Sequence, residues 1–178
     1  LAVLHGAGHM RFGTFDRLAM KEMFREAKVD FPDSGPVSWL PIFMRYGDDA
    51  LRFQLIFDLC EDLRVDFRIQ HLVPNYLRRL LATAQATGAR HAGSGAYFDL
   101  AVASVEEALA ANHPHAVRGK RFGPLLDSAA TVADAFRVAG VIYSNDELPR
   151  INDLEAFYAA YLPGRGHNAT RLAYPQER

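Results

Sequence analysis

Along most of this chain the apolar positions recur at intervals of three and four residues, and few stretches alternate with period two. That pattern predicts a mainly α architecture, a multi-helix domain with little or no sheet. The strongest element follows Asp48-Asp49, which can cap a helix. There Leu51, Leu55, Leu59, Leu63 and Phe67 repeat every four residues, beside a parallel acidic row of Asp58, Asp62 and Asp66. Before it, helices are expected over about Ala2 to Arg11, from Thr14 as cap through about Lys28, and over Val37 to Tyr46, the last limited by Pro41. Pro74 should start a helix over Tyr76 to about Thr87. Ser104-x-x-Glu107 reads as a capping box for an alanine-rich helix ending near Asn112. Asp127 to about Val138 is again helical, and Asn152-x-x-Glu155 opens a last helix that stops before Pro163-Gly164.

These elements group into one helical domain over residues 1–163, with 164–178 as an aperiodic linker or tail toward a further domain. The start at Leu1, uncapped within an apolar helix, suggests that a piece lies upstream. A hydrophobic content of 49% is enough for a real core, and a formal net charge of −1 argues against nucleic acid as the main partner. The single cysteine, Cys60, rules out a disulfide framework within the chain and fits a reducing, cytoplasmic setting. No apolar run approaches the roughly 20 residues of a membrane span.

The candidate chemistry lies at the start of the chain, in Leu4-His5-Gly6-Ala7-Gly8-His9-Met10. Histidines four apart on a helix share one face and can hold a single metal ion, as in the His-Glu-x-x-His helix of zinc peptidases. Here Gly6 stands where that motif has its general base. Gly6 and Gly8 each cost roughly 1 kcal/mol in an exposed helix interior, so the helix needs packing or a metal to hold it. Small Ala7 and Gly8 leave room for a neighbouring helix, with Leu4 and Met10 free to anchor the other face in the core. A third ligand should come from a separate helix. Glu61 is the first choice, Asp62 the alternative, and Asp58 or another carboxylate behind the ligands is a candidate for orienting a histidine through its second nitrogen. An ordinary helical ion pair with Arg64 is the plainer role for Glu61.

Other patterns carry less. Leu4-His5-Gly6 is followed by no Gly-x-Ser-x-Gly turn, Tyr46-Gly47-Asp48-Asp49 reads best as a helix cap, and Gly119-Lys120-Arg121 lacks the strand and hydroxyl of a phosphate loop. His113 and His115 flank a proline in a loop and are read as exposed.

The segment HGAGHMRFGTF, followed after a helical interval by FDLCEDLRVDFRI, resembles the region that precedes the von Willebrand factor A domain in the NorD and CbbO group, which is more loosely related to CobT. The resemblance covers roughly residues 3 to 80, and Tyr174-Pro175 is similar to the linker before the A domain. It implies a zincin-like helical domain whose metal ligands are His5, His9 and Glu61, with zinc as the expected ion. It further implies an adaptor working with a MoxR-type AAA+ ATPase to activate or remodel a target enzyme. Gly6 departs from the pattern's glutamate, and losing a general base commonly costs about 10²–10⁴ in rate. The expectation is therefore a metal-binding domain without catalysis. The alternatives are a zinc metallopeptidase whose base was lost or engineered away, and a helical interaction module with no metal.

Overall fold

A computed structural model of the chain describes residues 1–87, 95–111, 121–145 and 148–150. Among the described residues there are seven α-helices and no strand. They are α1 (Ala2–Arg11), α2 (Arg17–Glu26), α3 (Leu40–Met44), α4 (Ala50–Leu72), α5 (Tyr76–Thr87), α6 (Gly95–Ala111) and α7 (Val132–Asn145). None of them is long and apolar enough to cross a membrane.

Everything is arranged round α4. Between Phe53 and Ile69 only Gln54 and Arg68 escape burial, so the helix is enclosed on all sides. The leucine repeat accounts for one side only; Phe53, Ile56, Phe57, Cys60 and Val65 fill the others. α7 is its most extensive partner, and α1, α3, α5 and α6 complete the shell. At the N-terminal end of α4 an aromatic cluster closes the core. There Trp39 meets Phe57 edge-on, and Tyr46 stacks on Phe53 with centroids 3.7 Å apart. Enclosure of an element carrying Asp58, Glu61, Asp62, Arg64 and Asp66 is costly unless those charges find partners.

Several local expectations need correction. The second helix is capped by Asp16, whose carboxylate accepts from the Ala19 N–H at 2.8 Å, and not by Thr14. Pro41 falls in the first turn of α3, where its missing N–H costs nothing, so it begins that helix instead of limiting it. Asp49 precedes α4 without a side-chain cap bond and instead accepts from the Tyr143 hydroxyl. Ser104 lies in the middle of α6 and donates back to the Ala101 carbonyl, so no capping box starts there. The last described helix begins later than expected, after Thr131, whose N–H and hydroxyl both donate to Asp134. The Asn152 capping box, the tail, His113, His115 and Gly119-Lys120 lie outside the described residues.

The placement of α1 depends on Gly8. A Cβ there would lie 2.6 Å from Val65 Cγ1 and 2.8 Å from Ile69 Cδ1, so only a glycine lets this turn sit directly on α4. Gly6 faces open space on the outer side. The two glycines should therefore respond oppositely to alanine. Gly6→Ala is expected to stabilise the domain by up to about 1 kcal/mol through helix propensity. Gly8→Ala is expected to destabilise by about 1–3 kcal/mol through overpacking, both read by urea unfolding.

Candidate metal centre

Two histidines enter the interior from α1. His5 and His9 are one turn apart on the same side of that helix, and they are 1% and 0% exposed. Their Nε2 atoms converge to 3.0 Å, and each lies 3.3 Å from the same oxygen, Oδ1 of Asp62 on α4. Donor atoms of a tetrahedral zinc site with bonds of about 2.0–2.1 Å are about 3.3–3.4 Å apart, so this triangle has the dimensions of one face of such a site. Among the described residues these three form the close group of potential metal ligands.

The other nitrogen of each ring is held from outside. His5 Nδ1 donates to Asp66 Oδ1 at 2.8 Å, and the same oxygen accepts from the Tyr76 hydroxyl at 2.9 Å. His9 Nδ1 is 3.0 Å from Thr14 Oγ1. The Thr14 hydroxyl has one proton, and it goes to Glu61 Oε1 at 2.5 Å, so Thr14 must accept from His9. Each ring therefore has a proton at Nδ1 and turns Nε2 toward Asp62. Metal-binding histidines are commonly oriented in this way, by a carboxylate or its relay on the far nitrogen. Burial works against the doubly protonated form of His5, but Asp66 and Asp62 outweigh it and push its pKa up to about 10. A proton and a metal ion would compete for the same Nε2 lone pair.

Glu61, the first-choice ligand from sequence, is turned to a different task. Arg64 grips it with both arms, Nε to Oε2 at 2.7 Å and Nη2 to Oε1 at 2.6 Å. It lies on the far side of the His9 ring, with Oε1 3.9 Å from Nδ1. Asp62, the alternative, is the carboxylate brought between the imidazoles. Asp58 is buried one turn earlier and lies outside the close group; the orienting role considered for it is filled by Asp66 for His5 and by Thr14 for His9. Leu4 and Met10 do not anchor α1 in the core, for they are 44% and 72% exposed. Cys60 is core, its thiol pKa pushed up by burial and by Glu61.

Spacing in the sequence does not mark Thr14, Asp66 or Tyr76 as site residues. Asp66 was legible in principle, being one turn beyond Asp62 in the acidic row. Thr14 and Tyr76 gave no such signal, because their roles depend on how three segments meet. Asp66→Asn keeps the shape and removes the charge behind His5. It is expected to weaken zinc binding by about 10–100-fold, measured by competition with a chromophoric chelator.

No family model, curated protein or solved structure matches this chain.

Proposed function

We propose that this chain is a zinc-binding helical domain in which His5, His9 and Asp62 supply three ligands. The observation that carries the reading is the triangle of donor atoms, 3.0, 3.3 and 3.3 Å on a side, with both histidines oriented from behind. Two imidazoles and a carboxylate suit zinc by softness and by count. Bound there, the ion would supply cross-linking charge between α1 and α4, and Lewis acidity at an open fourth position.

The chain's own residues favour structure over hydrolysis. A peptidase of this pattern needs a carboxylate one residue after the first histidine, and Gly6 has no side chain to offer. The resemblance to the NorD and CbbO group supports the wider proposal of an adaptor that works through protein contacts, with a MoxR-type AAA+ ATPase and a target enzyme as partners.

Elemental analysis of the purified protein tests the metal assignment. Stoichiometric zinc that is lost in His5→Ala supports it; no retained or added metal overturns it. Because Gly6 faces open space, Gly6→Glu can be built without a clash, and it tests the competing peptidase reading. Peptide hydrolysis appearing in that variant would favour an enzyme whose base was lost. The metal-free module predicts that chelators leave the unfolding midpoint unchanged, whereas a bound ion raises it in proportion to the logarithm of its excess over Kd.

A further inference from the structure

α1 is an unusual helix to find packed in a core. Its buried residues are His5, Gly8 and His9, so no apolar side chain within it is buried. Val3, Leu4 and Met10 all face outward, and only Leu1 and Phe12, at its two ends, are half-buried against the core. The hydrophobic effect therefore does little to seat it. Intrinsic helicity does little either. The helix has ten residues, two of them interior glycines, with no side-chain cap and no acidic residue in its first turn.

What does join α1 to α4 is polar and concentrated. Two of the proposed ligand nitrogens come from α1 and the ligand oxygen from α4, and His5 Nδ1 adds one metal-independent bond to Asp66 of α4 at 2.8 Å. The C-terminal end is tethered separately, because the Phe12 carbonyl accepts from Arg64 at 2.9 Å and from Arg68 at 3.4 Å. Gly13 follows with φ +73°, a conformation that suits a glycine joint. The three ligands are at most 1% exposed, so an ion reaches them only when part of their cover moves, and α1 is the covering element with the fewest buried apolar side chains.

We infer that metal occupancy controls whether α1 is seated on α4: the ion locks the helix down, and without it the helix swings out about the Phe12–Gly13 joint. This rests on the metal assignment proposed above. Uncovering α4 in this way exposes Asp62, Val65, Asp66 and Ile69, so the same motion that admits the metal changes the surface the domain presents. The device is a metal-gated helix.

Hydrogen exchange measured by mass spectrometry on the whole chain, zinc-loaded and chelated, tests it, with metal content determined in both samples. Chelation is expected to speed exchange of the α1 amides by about tenfold or more while the central amides of α4 and α7 keep their protection. Unchanged α1 protection despite loss of the metal overturns the inference and leaves the metal assignment standing. Protection lost evenly from α1, α4 and α7 also overturns it, since the ion would then hold the whole domain together. If no zinc binds at all, the metal assignment fails and this inference falls with it. As a check independent of chelation, Gly8→Val should accelerate zinc release, because its side chain wedges against Val65 and Ile69; release at the unaltered rate counts against the hinge.

Discussion

Asp62→Asn is expected to abolish zinc binding at micromolar metal, while Glu61→Gln weakens it and leaves the coordination unchanged. The two carboxylates are neighbours in sequence and equally buried, yet their surroundings differ. Asp62 Oδ1 is equidistant from the two Nε2 atoms, so replacing it removes the carboxylate that α4 brings to the proposed site and leaves two histidines on one short helix. An amide oxygen of the same shape lacks the charge that balances the ion. The loss should exceed the roughly 10–100-fold that removal of an orienting group costs. Glu61 acts on His9 through the Thr14 hydroxyl and from 3.9 Å behind Nδ1, and its replacement falls within that smaller range. Cobalt substitution separates the outcomes by the visible absorption of the tetrahedral ion. In Glu61→Gln the band should keep its shape and titrate at higher cobalt; in Asp62→Asn it should be missing. The reverse pattern would return Glu61 to the coordination sphere.

Much of this centre was legible in the chain, and the point at which legibility stopped has a physical cause. Histidines four apart on a helix must share a face, so the pair could be read without a structure. The bounds of α1 and α5 matched the pattern as well. The choice between Glu61 and Asp62 could not be made this way. Adjacent residues on a helix point about 100° apart, and choosing between them requires the rotation of α4. An amphipathic helix announces that rotation through its apolar stripe; α4, buried nearly all round, has apolar residues on every side. The same burial hides the ion pair of Glu61 and Arg64, which looks from sequence like any solvated i to i+3 pair.

α1 misleads in the opposite direction. Its apolar residues suggest a core-facing side, yet the face that docks is made of two histidines and a glycine. Sequence patterns locate faces that dock by the hydrophobic effect, and this one docks by its polar groups. Thr14 illustrates the same limit. It follows a glycine and precedes a helix, where a cap is the ordinary reading, but Asp16 is better placed for that duty. Thr14 is thereby free to turn inward between His9 and Glu61.

The largest effect on stability is expected at Arg64, through the charge it leaves behind. Arg64 and Glu61 are both fully buried, and the guanidinium makes two short bonds to the carboxylate. It also donates to the backbone carbonyls of Phe12 and Ala130, tying the end of α1 and the approach to α7 against α4. Arg64→Met approximates the volume and removes every one of these donors. Breaking one side of a buried pair commonly costs about 3–5 kcal/mol, because the remaining ion is left desolvated without compensation. Urea unfolding should show that loss as a lower midpoint with little change in slope. The double variant Glu61→Gln/Arg64→Met discriminates the cause. If the penalty comes from a stranded carboxylate, removing that charge recovers part of it, and the two substitutions cost less together than their sum. If the carbonyl contacts dominate, the double variant is no more stable than Arg64→Met. Partial recovery is the expected result, because a neutral amide at position 61 keeps the Thr14 bond without a stranded charge, while the Phe12 and Ala130 carbonyls keep Arg68 as a donor in both variants.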